Sequence, residues 1–97
     1  MINQLIEKYT RRIEFLTRRM EFFKEYIFDI AEEYNMDTIN LDTWEDKTVE
    51  SLVNDIKRSK DIKEFYKIQV LEAYTTYVKA KSLKKNYTEV VNDLLNM

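Results

Sequence analysis

An uninterrupted apolar repeat over the first third of the chain constrains the fold more than any other feature. Its members recur at alternating steps of four and three residues: Ile2, Ile6, Tyr9, Ile13, Leu16, Met20, Phe23, Ile27, Ile30 and Tyr34. This spacing is typical of a helix that buries one stripe. A helix over 2–34 would be about 50 Å long at 1.5 Å per residue. It therefore requires a partner helix of similar length, and the pattern predicts an all-α fold.

A polar stretch separates this repeat from a second one. Residues 35–43 are rich in Asn, Asp and Thr, which favour turns and caps over helix interiors. The same spacing then runs over 49–94 and meets three polar residues, which are Ser59, Lys63 and Lys84. The second repeat is thus helical, with possible interruptions where those polar residues fall.

We expect a long antiparallel helical hairpin, with helices at about 2–34 and 44–84 and a short C-terminal helix at 87–96. The alternative is a three-helix arrangement that breaks near residue 59. The chain contains neither Gly nor Pro to decide between a break there and one near residue 86.

Four residue types are missing from the composition, and their absence argues against enzymatic functions. The 97 residues, enough for a single domain over 1–97, include no Gly, Pro, Cys or His. Without Gly, phosphate-binding loops and nucleophile elbows have no sequence signature here. Without Cys and His, the usual zinc, haem and Cys/His nucleophile sites cannot be built. We therefore expect a protein that is not an enzyme and that has no cofactor and no metal site.

Small size favours self-association. A chain this short buries only about 60–65% of its unfolded surface, and small domains often add a disulfide, a metal or a partner. A partner is what remains here, so we expect a homodimer or a small hetero-oligomer that forms a helical bundle. No apolar run approaches the ~18 residues of a membrane span, and the N-terminus lacks the layout of a signal peptide. The expected location is cytoplasmic.

The charges are segregated along the chain. Residues 1–24 carry a net charge of +3, residues 25–55 carry −9, and residues 56–97 carry +4. A hairpin folded at 35–43 would place residue 25 beside about residue 53, with an acidic turn and a basic open end. Two such hairpins would attract each other in antiparallel orientation, although the charges can also serve only to solvate the surface.

A basic and aromatic cluster on the first helix is the candidate partner-binding site. It comprises Arg11, Arg12, Phe15, Arg18, Arg19 and Phe22. The two Phe lie outside the buried stripe. They can pack in a bundle of more than two helices under Arg stems, anchor a protein partner, or stack on nucleic-acid bases. A protein partner is favoured over nucleic acid because the pI is about 5.2.

The single Trp lies just after the predicted turn. Trp44 is placed to act as a structural staple that packs back near Tyr34. A chain of about a hundred residues with two long helices and a Trp at the turn resembles the Trp-X-Gly family of small type VII secretion proteins. Here the turn is Trp44-Glu45-Asp46, and Val49 and Leu52 follow the Trp at five and eight residues.

That resemblance implies an antiparallel dimer of helical hairpins and leaderless secretion. Asp46 stands where the family has Gly, and the family's C-terminal Tyr-x-x-x-Asp/Glu export signal is not matched, because Val91 follows Tyr87 by four residues. The expected function is a non-catalytic, self-associating protein–protein interaction module of this secretion-like type. The alternative is a small regulatory or inhibitory protein of phages or mobile elements that binds a host protein or nucleic acid through its Arg/Phe face.

Overall fold

The computed structural model describes residues 1–34, 36 and 46–97 and, within them, three helices. Helix α1 spans Ile2–Glu33, α2 spans Asp46–Arg58 and α3 spans Glu64–Leu95. The all-α hairpin expected from the sequence is confirmed. Its two long helices are α1 and α3, which have 32 residues each. Trp44, the predicted staple, lies outside the described residues, and Asp46 is the first residue of α2.

The two long helices run antiparallel along the full length of the molecule. At one end the rings of Tyr9 and Tyr87 lie 5.5 Å apart between centroids, and at the other end those of Tyr34 and Tyr66 lie 6.1 Å apart. The described residues extend over 54 × 25 × 15 Å. The long first repeat thus finds the equally long partner that it requires.

The predicted bounds of the second helix, 44–84, are wrong. The chain leaves the helix after Arg58 and re-enters it at Glu64, so the break near residue 59 is the correct alternative. The hydroxyl of Ser59 accepts a hydrogen bond from the backbone N–H of Asp61 at 3.2 Å, which offers the backbone a turn in place of the helix. Lys63 then adopts an extended conformation, with φ −61° and ψ 143°.

The predicted separate helix at 87–96 is also wrong, because α3 continues through residue 86 to Leu95. Lys84 is an isolated polar position in the stripe, flanked by buried Ala80 and half-buried Tyr87. Tyr87 packs on Tyr9 of α1 and Ala80 belongs to the core, so the helix loses little by continuing.

The break changes which residues face each other across the hairpin. The sequence placed residue 25 beside about residue 53, whereas the Tyr26 hydroxyl donates a hydrogen bond to the Gln69 side-chain oxygen at 2.5 Å. An unbroken helix over 46–95 would be about 75 Å long, far longer than α1. Breaking it lets α2 pack against both long helices.

The core lies where all three helices meet. Its residues, all buried, are Leu16, Met20, Ile27, Ile30, Ala31, Val49, Leu52, Val53, Ile56, Ile62, Val70, Ala73, Tyr77 and Ala80. Outside 16–80 the stripe residues of α1 and α3 are at most half-buried. We call this part, 2–13 of α1 with 84–95 of α3, the two-helix arm. One end of the molecule is therefore a three-helix bundle, and the other is a bare helix pair.

Candidate interaction surface

The predicted Arg/Phe cluster lies on the exposed side of α1. Phe15 is 53% exposed and Phe22 is 64% exposed, and Arg11, Arg12, Arg18 and Arg19 are exposed as well. The structure thus brings the six residues together on one helix. Within the single chain the two Phe are not buried, and whether a larger bundle, a protein partner or nucleic acid covers them stays a prediction.

The four arginines differ in what they contact. The Arg12 guanidinium lies 5.5 Å from the ring centroids of both Tyr9 and Tyr87, so it links α1 to α3 within the two-helix arm. The Arg19 guanidinium lies 5.8 Å from the ring of Phe15 and 5.7 Å from that of Phe23. Cation–π contacts of this kind are worth about 0.5–1 kcal/mol at exposed sites. Arg12 and Arg19 thus hold aromatic rings in place.

Arg11 forms an ion pair with Glu7, one turn away on α1, and both side chains are largely exposed. Pairs of this kind contribute little to stability. Arg18 lines a shallow depression with Phe15 and Phe22. Arg11 and Arg18 therefore remain the two arginines of the cluster that make no ring contact within the described chain.

A groove runs between α1 and α3 beside the cluster. Its walls are Phe22, Phe23 and Tyr26 of α1 and Gln69, Glu72, Ala73 and Thr76 of α3. On the α1 side the depression around Phe15, Arg18 and Arg19 continues it. These lining residues all come from α1 and α3, and among the described residues of α2 none lines the groove or the depression. We call these residues together the aromatic face.

Tyr26 links the two helices at this groove. Its hydrogen bond to Gln69 crosses from α1 to α3. Partial burial raises the pKa of Tyr26 above its ordinary value of 10.0, and the neighbouring Tyr66 phenol raises the pKa further. Both effects favour the neutral phenol, which is the form that donates the hydrogen bond.

The α3 wall of the aromatic face was missed by sequence reasoning. Gln69, Glu72 and Thr76 lie off the apolar repeat. The predicted hairpin, with residue 25 beside about residue 53, also placed these three residues next to a different part of α1. The exposed apolar residues Phe65, Ile68, Leu71 and Val78 of α3 do not line this wall, so the apolar pattern of α3 gives no signal for it.

Opposite charges occupy the two halves of the long-helix pair. Residues 2–19 with 78–95 carry nine Lys or Arg against four Asp or Glu, a net charge of +5. Residues 20–33 with 64–77 carry two against seven, a net charge of −5. The antiparallel packing of α1 and α3 produces this arrangement, since it joins the basic N-terminal half of α1 to the basic C-terminal half of α3. The aromatic face straddles the boundary between the halves.

Two further properties concern only the described ranges, 1–34, 36 and 46–97. Acidic side chains there do not converge in a group of three or more that could hold a metal ion. None of the helices there combines the length and the apolar character needed to cross a bilayer. The aromatic face thus offers an apolar and aromatic binding surface that is flanked by a basic half and an acidic half of the long-helix pair.

Comparison with protein-family models, with curated proteins and with solved structures gives no match.

Proposed function

We propose that the chain is a non-catalytic protein–protein interaction module that self-associates, as a homodimer or within a small hetero-oligomer. The observation that carries this proposal is the exposure of Phe15 and Phe22 on the open side of the long-helix pair. These rings line adjoining depressions together with Phe23. Contiguous apolar patches mark interaction sites, whereas singly scattered apolar residues are ordinary surface.

The rings are the type of residue that dominates binding energy. Aromatic and arginine side chains are enriched among the few residues that carry most of an interface's affinity. Phe15 and Phe22 are also pre-positioned, because Arg19 lies over the Phe15 ring and Phe23 packs edge-on against Phe22 at 5.4 Å. A ring that is already held in place loses less side-chain entropy when a partner covers it.

The two-helix arm supports the same proposal. Helix pairs bury only one stripe of each helix, and on the arm apolar side chains outside the stripe remain exposed, which are Leu5, Val90 and Leu95, together with Ile2 at the end of the stripe. Small domains gain the apolar burial that they lack by assembling with other chains. An assembly would therefore stabilise the arm as well as cover the aromatic face.

Sedimentation equilibrium over a range of concentrations tests self-association. We expect a mass of about twice 11.9 kDa at micromolar concentration, because large rings and complementary charges favour pairing. Raising the salt from ~0.1 to ~1 M should weaken the pairing, because it screens charges beyond a few Å. A mass of one chain at all micromolar concentrations would contradict self-association and leave only assembly with a different chain.

A narrower form of this proposal places the chain in the Trp-X-Gly family of small type VII secretion proteins. Two long antiparallel helices of 32 residues each support it. We expect the chain to reach the medium of a type VII-competent bacterium and to remain in cells that lack the secretion ATPase. Equal retention in both strains would refute this part and leave self-association untouched.

A second candidate function is a regulatory or inhibitory protein, of the kind that phages and mobile elements encode, that acts through the Arg/Phe face. The basic half, with its net charge of +5, and the exposed rings favour it. Exposed Arg11 and Arg18 make no ring contact within the described chain, so nucleic-acid phosphates are an alternative ligand for them.

Fluorescence anisotropy with labelled single- and double-stranded oligonucleotides tests the nucleic-acid form of this candidate. Binding should fall steeply with salt and should be lost in Arg11→Glu with Arg18→Glu. Lys60→Glu, an exposed change of the same sign outside the basic half, is the matched control. No binding by the unmodified protein at low salt would exclude nucleic acid and leave a protein target.

A further inference from the structure

One stripe on α1 repeats at heptad spacing across the middle of the helix. Lys8, Phe15, Phe22 and Asp29 are each seven residues apart, so they lie along one side of α1, with a drift of only about 20° per step. All four are exposed. Along the helix the stripe is basic, aromatic, aromatic and acidic, and its midpoint lies between residues 18 and 19.

This stripe is complementary to itself when reversed. A copy of α1 running in the opposite direction, centred on the same midpoint, places its Asp29 opposite Lys8 and its Phe22 opposite Phe15. Each opposed pair then occurs twice, once on either side of the centre, as an isologous twofold contact requires.

We propose that the aromatic face is covered by a second copy of the chain, packed antiparallel about a twofold axis near Arg18 and Arg19. This inference rests on the proposed self-association and specifies its surface and orientation. The axis runs through the middle of α1, so the basic half of one copy covers the acidic half of the other.

Charge on the whole long-helix pair favours this orientation. The axis falls close to the boundary between the half with net charge +5 and the half with net charge −5. Antiparallel packing brings the basic half of each copy against the acidic half of the other, whereas parallel packing would bring basic half against basic half and acidic half against acidic half. Complementary potentials of this kind fix the orientation of partners and exclude the alternative.

The available area is sufficient for a stable dimer. The molecule is 54 Å long, and two adjacent helices with side chains are about 20 Å wide. The open side thus offers about 1,000 Å² per copy, and a standard interface buries ~800 Å² per partner. The described residues that line the depressions on this side belong to α1 and α3, so the long helices of the second copy can approach them directly.

Aromatic rings pack against the arginines nearest the axis. Arg19 already lies over Phe15 and Phe23, and long arginine stems cover apolar surface while their charged ends reach water. Like charges near the axis still oppose pairing, so the attraction must come from the rings at the centre and the opposite charges towards the ends.

The first test removes a ring. In a twofold dimer, Phe22→Ala deletes two central rings at once, and we expect the dissociation constant measured by sedimentation velocity to rise on the order of a thousandfold. The matched control is Val78→Ala, an exposed apolar residue of α3 that does not line the aromatic face. It should leave the constant within about threefold. An equal effect of the two substitutions would overturn the assignment of this face.

The second test exchanges charges across the proposed axis. Lys8→Asp alone and Asp29→Lys alone each replace two attractive contacts with two repulsive ones and should weaken pairing about tenfold. Because their new charges complement each other, an equimolar mixture of these two variants should recover near-original affinity as a heterodimer. The chain that carries both substitutions should likewise pair with itself as the unmodified chain does. No recovery in either case would overturn the antiparallel register.

The tests also separate this inference from the function on which it rests. An unmodified chain that sediments as a monomer refutes self-association and the inference together. An unmodified dimer that withstands Phe22→Ala and both charge changes refutes only the surface and its orientation. Circular dichroism of each variant confirms folding, which these exposed positions should leave intact.

Discussion

Ile56 tests whether the short helix α2 belongs to the same cooperative core as the two long helices. Its side chain is fully buried, with no exposed area, on a helix of 13 residues that packs against both α1 and α3. Ile56→Ala removes three carbon atoms. At about 0.8 kcal/mol per buried methylene, the lost transfer free energy is about 2.4 kcal/mol, and the residual cavity brings the total to about 3 kcal/mol.

The corresponding shift in melting temperature is large. A chain of this length has an unfolding entropy of about 0.2 kcal/mol per degree at its midpoint, so Ile56→Ala should lower Tm by about 15 °C. The measurement is thermal unfolding followed by circular dichroism at one fixed protein concentration, since pairing makes Tm concentration-dependent.

Asn54→Ala provides the control on the same helix, because Asn54 is exposed and its replacement should change Tm by no more than a few degrees. A loss below about 0.5 kcal/mol for Ile56→Ala would show that α2 unfolds separately from the long helices. The core drawn from all three helices would then be wrong.

Three smaller predictions concern the residues that set the helix geometry. Tyr26→Phe should remove one step above pH 10 from a spectrophotometric tyrosine titration, because burial and Tyr66 raise the pKa of this phenol above its ordinary value of 10.0; an unchanged curve would contradict that assignment. As pH rises, the phenol of Tyr26 loses its proton in the unfolded chain before it does so in the folded chain. Its contribution to the free energy of unfolding is therefore complete below about pH 10 and declines as pH rises through the folded pKa. Urea unfolding at pH 9 and pH 11 should accordingly show a smaller loss of stability between the two pH values in Tyr26→Phe than in the unmodified chain. Ser59→Ala removes the side-chain acceptor of the Asp61 N–H and should cost about 0.5–1 kcal/mol; a stability gain in urea unfolding would mean that the break does not depend on this turn.

The sequence predicts the buried stripes well because helical periodicity is a local property. Leu16, Met20 and Ile27 in the first repeat and Val70 and Tyr77 in the second are buried. Their spacing alone determines which side of each helix is apolar. Phe15 and Phe22 fall outside the stripe and are exposed in the single chain, but the spacing alone left open what covers them.

Where the second repeat breaks is a different kind of question. The polar residues Ser59, Lys63 and Lys84 all weaken the stripe, and the chain has no Gly or Pro that would mark one of these positions as the helix break. Which position becomes the break depends on how much apolar surface the helical turns on either side of it can bury. Around Lys84, Ala80 lies in the core and Tyr87 contacts Tyr9 of α1. A helix that continued after Arg58 would instead carry α2 beyond the end of α1, where it would have no helix to pack against.

The amino-acid sequence by itself determines an all-α chain, the length of its first helix and the inward side of each apolar repeat, because these depend on residues three and four positions apart. Only the tertiary structure decides that α3 is the partner of α1, that Gln69, Glu72 and Thr76 complete the aromatic face, and that the charges divide into a +5 half and a −5 half. Those features join residues more than forty positions apart, and a register between distant helices is set by the sum of many packing contacts that no local pattern contains.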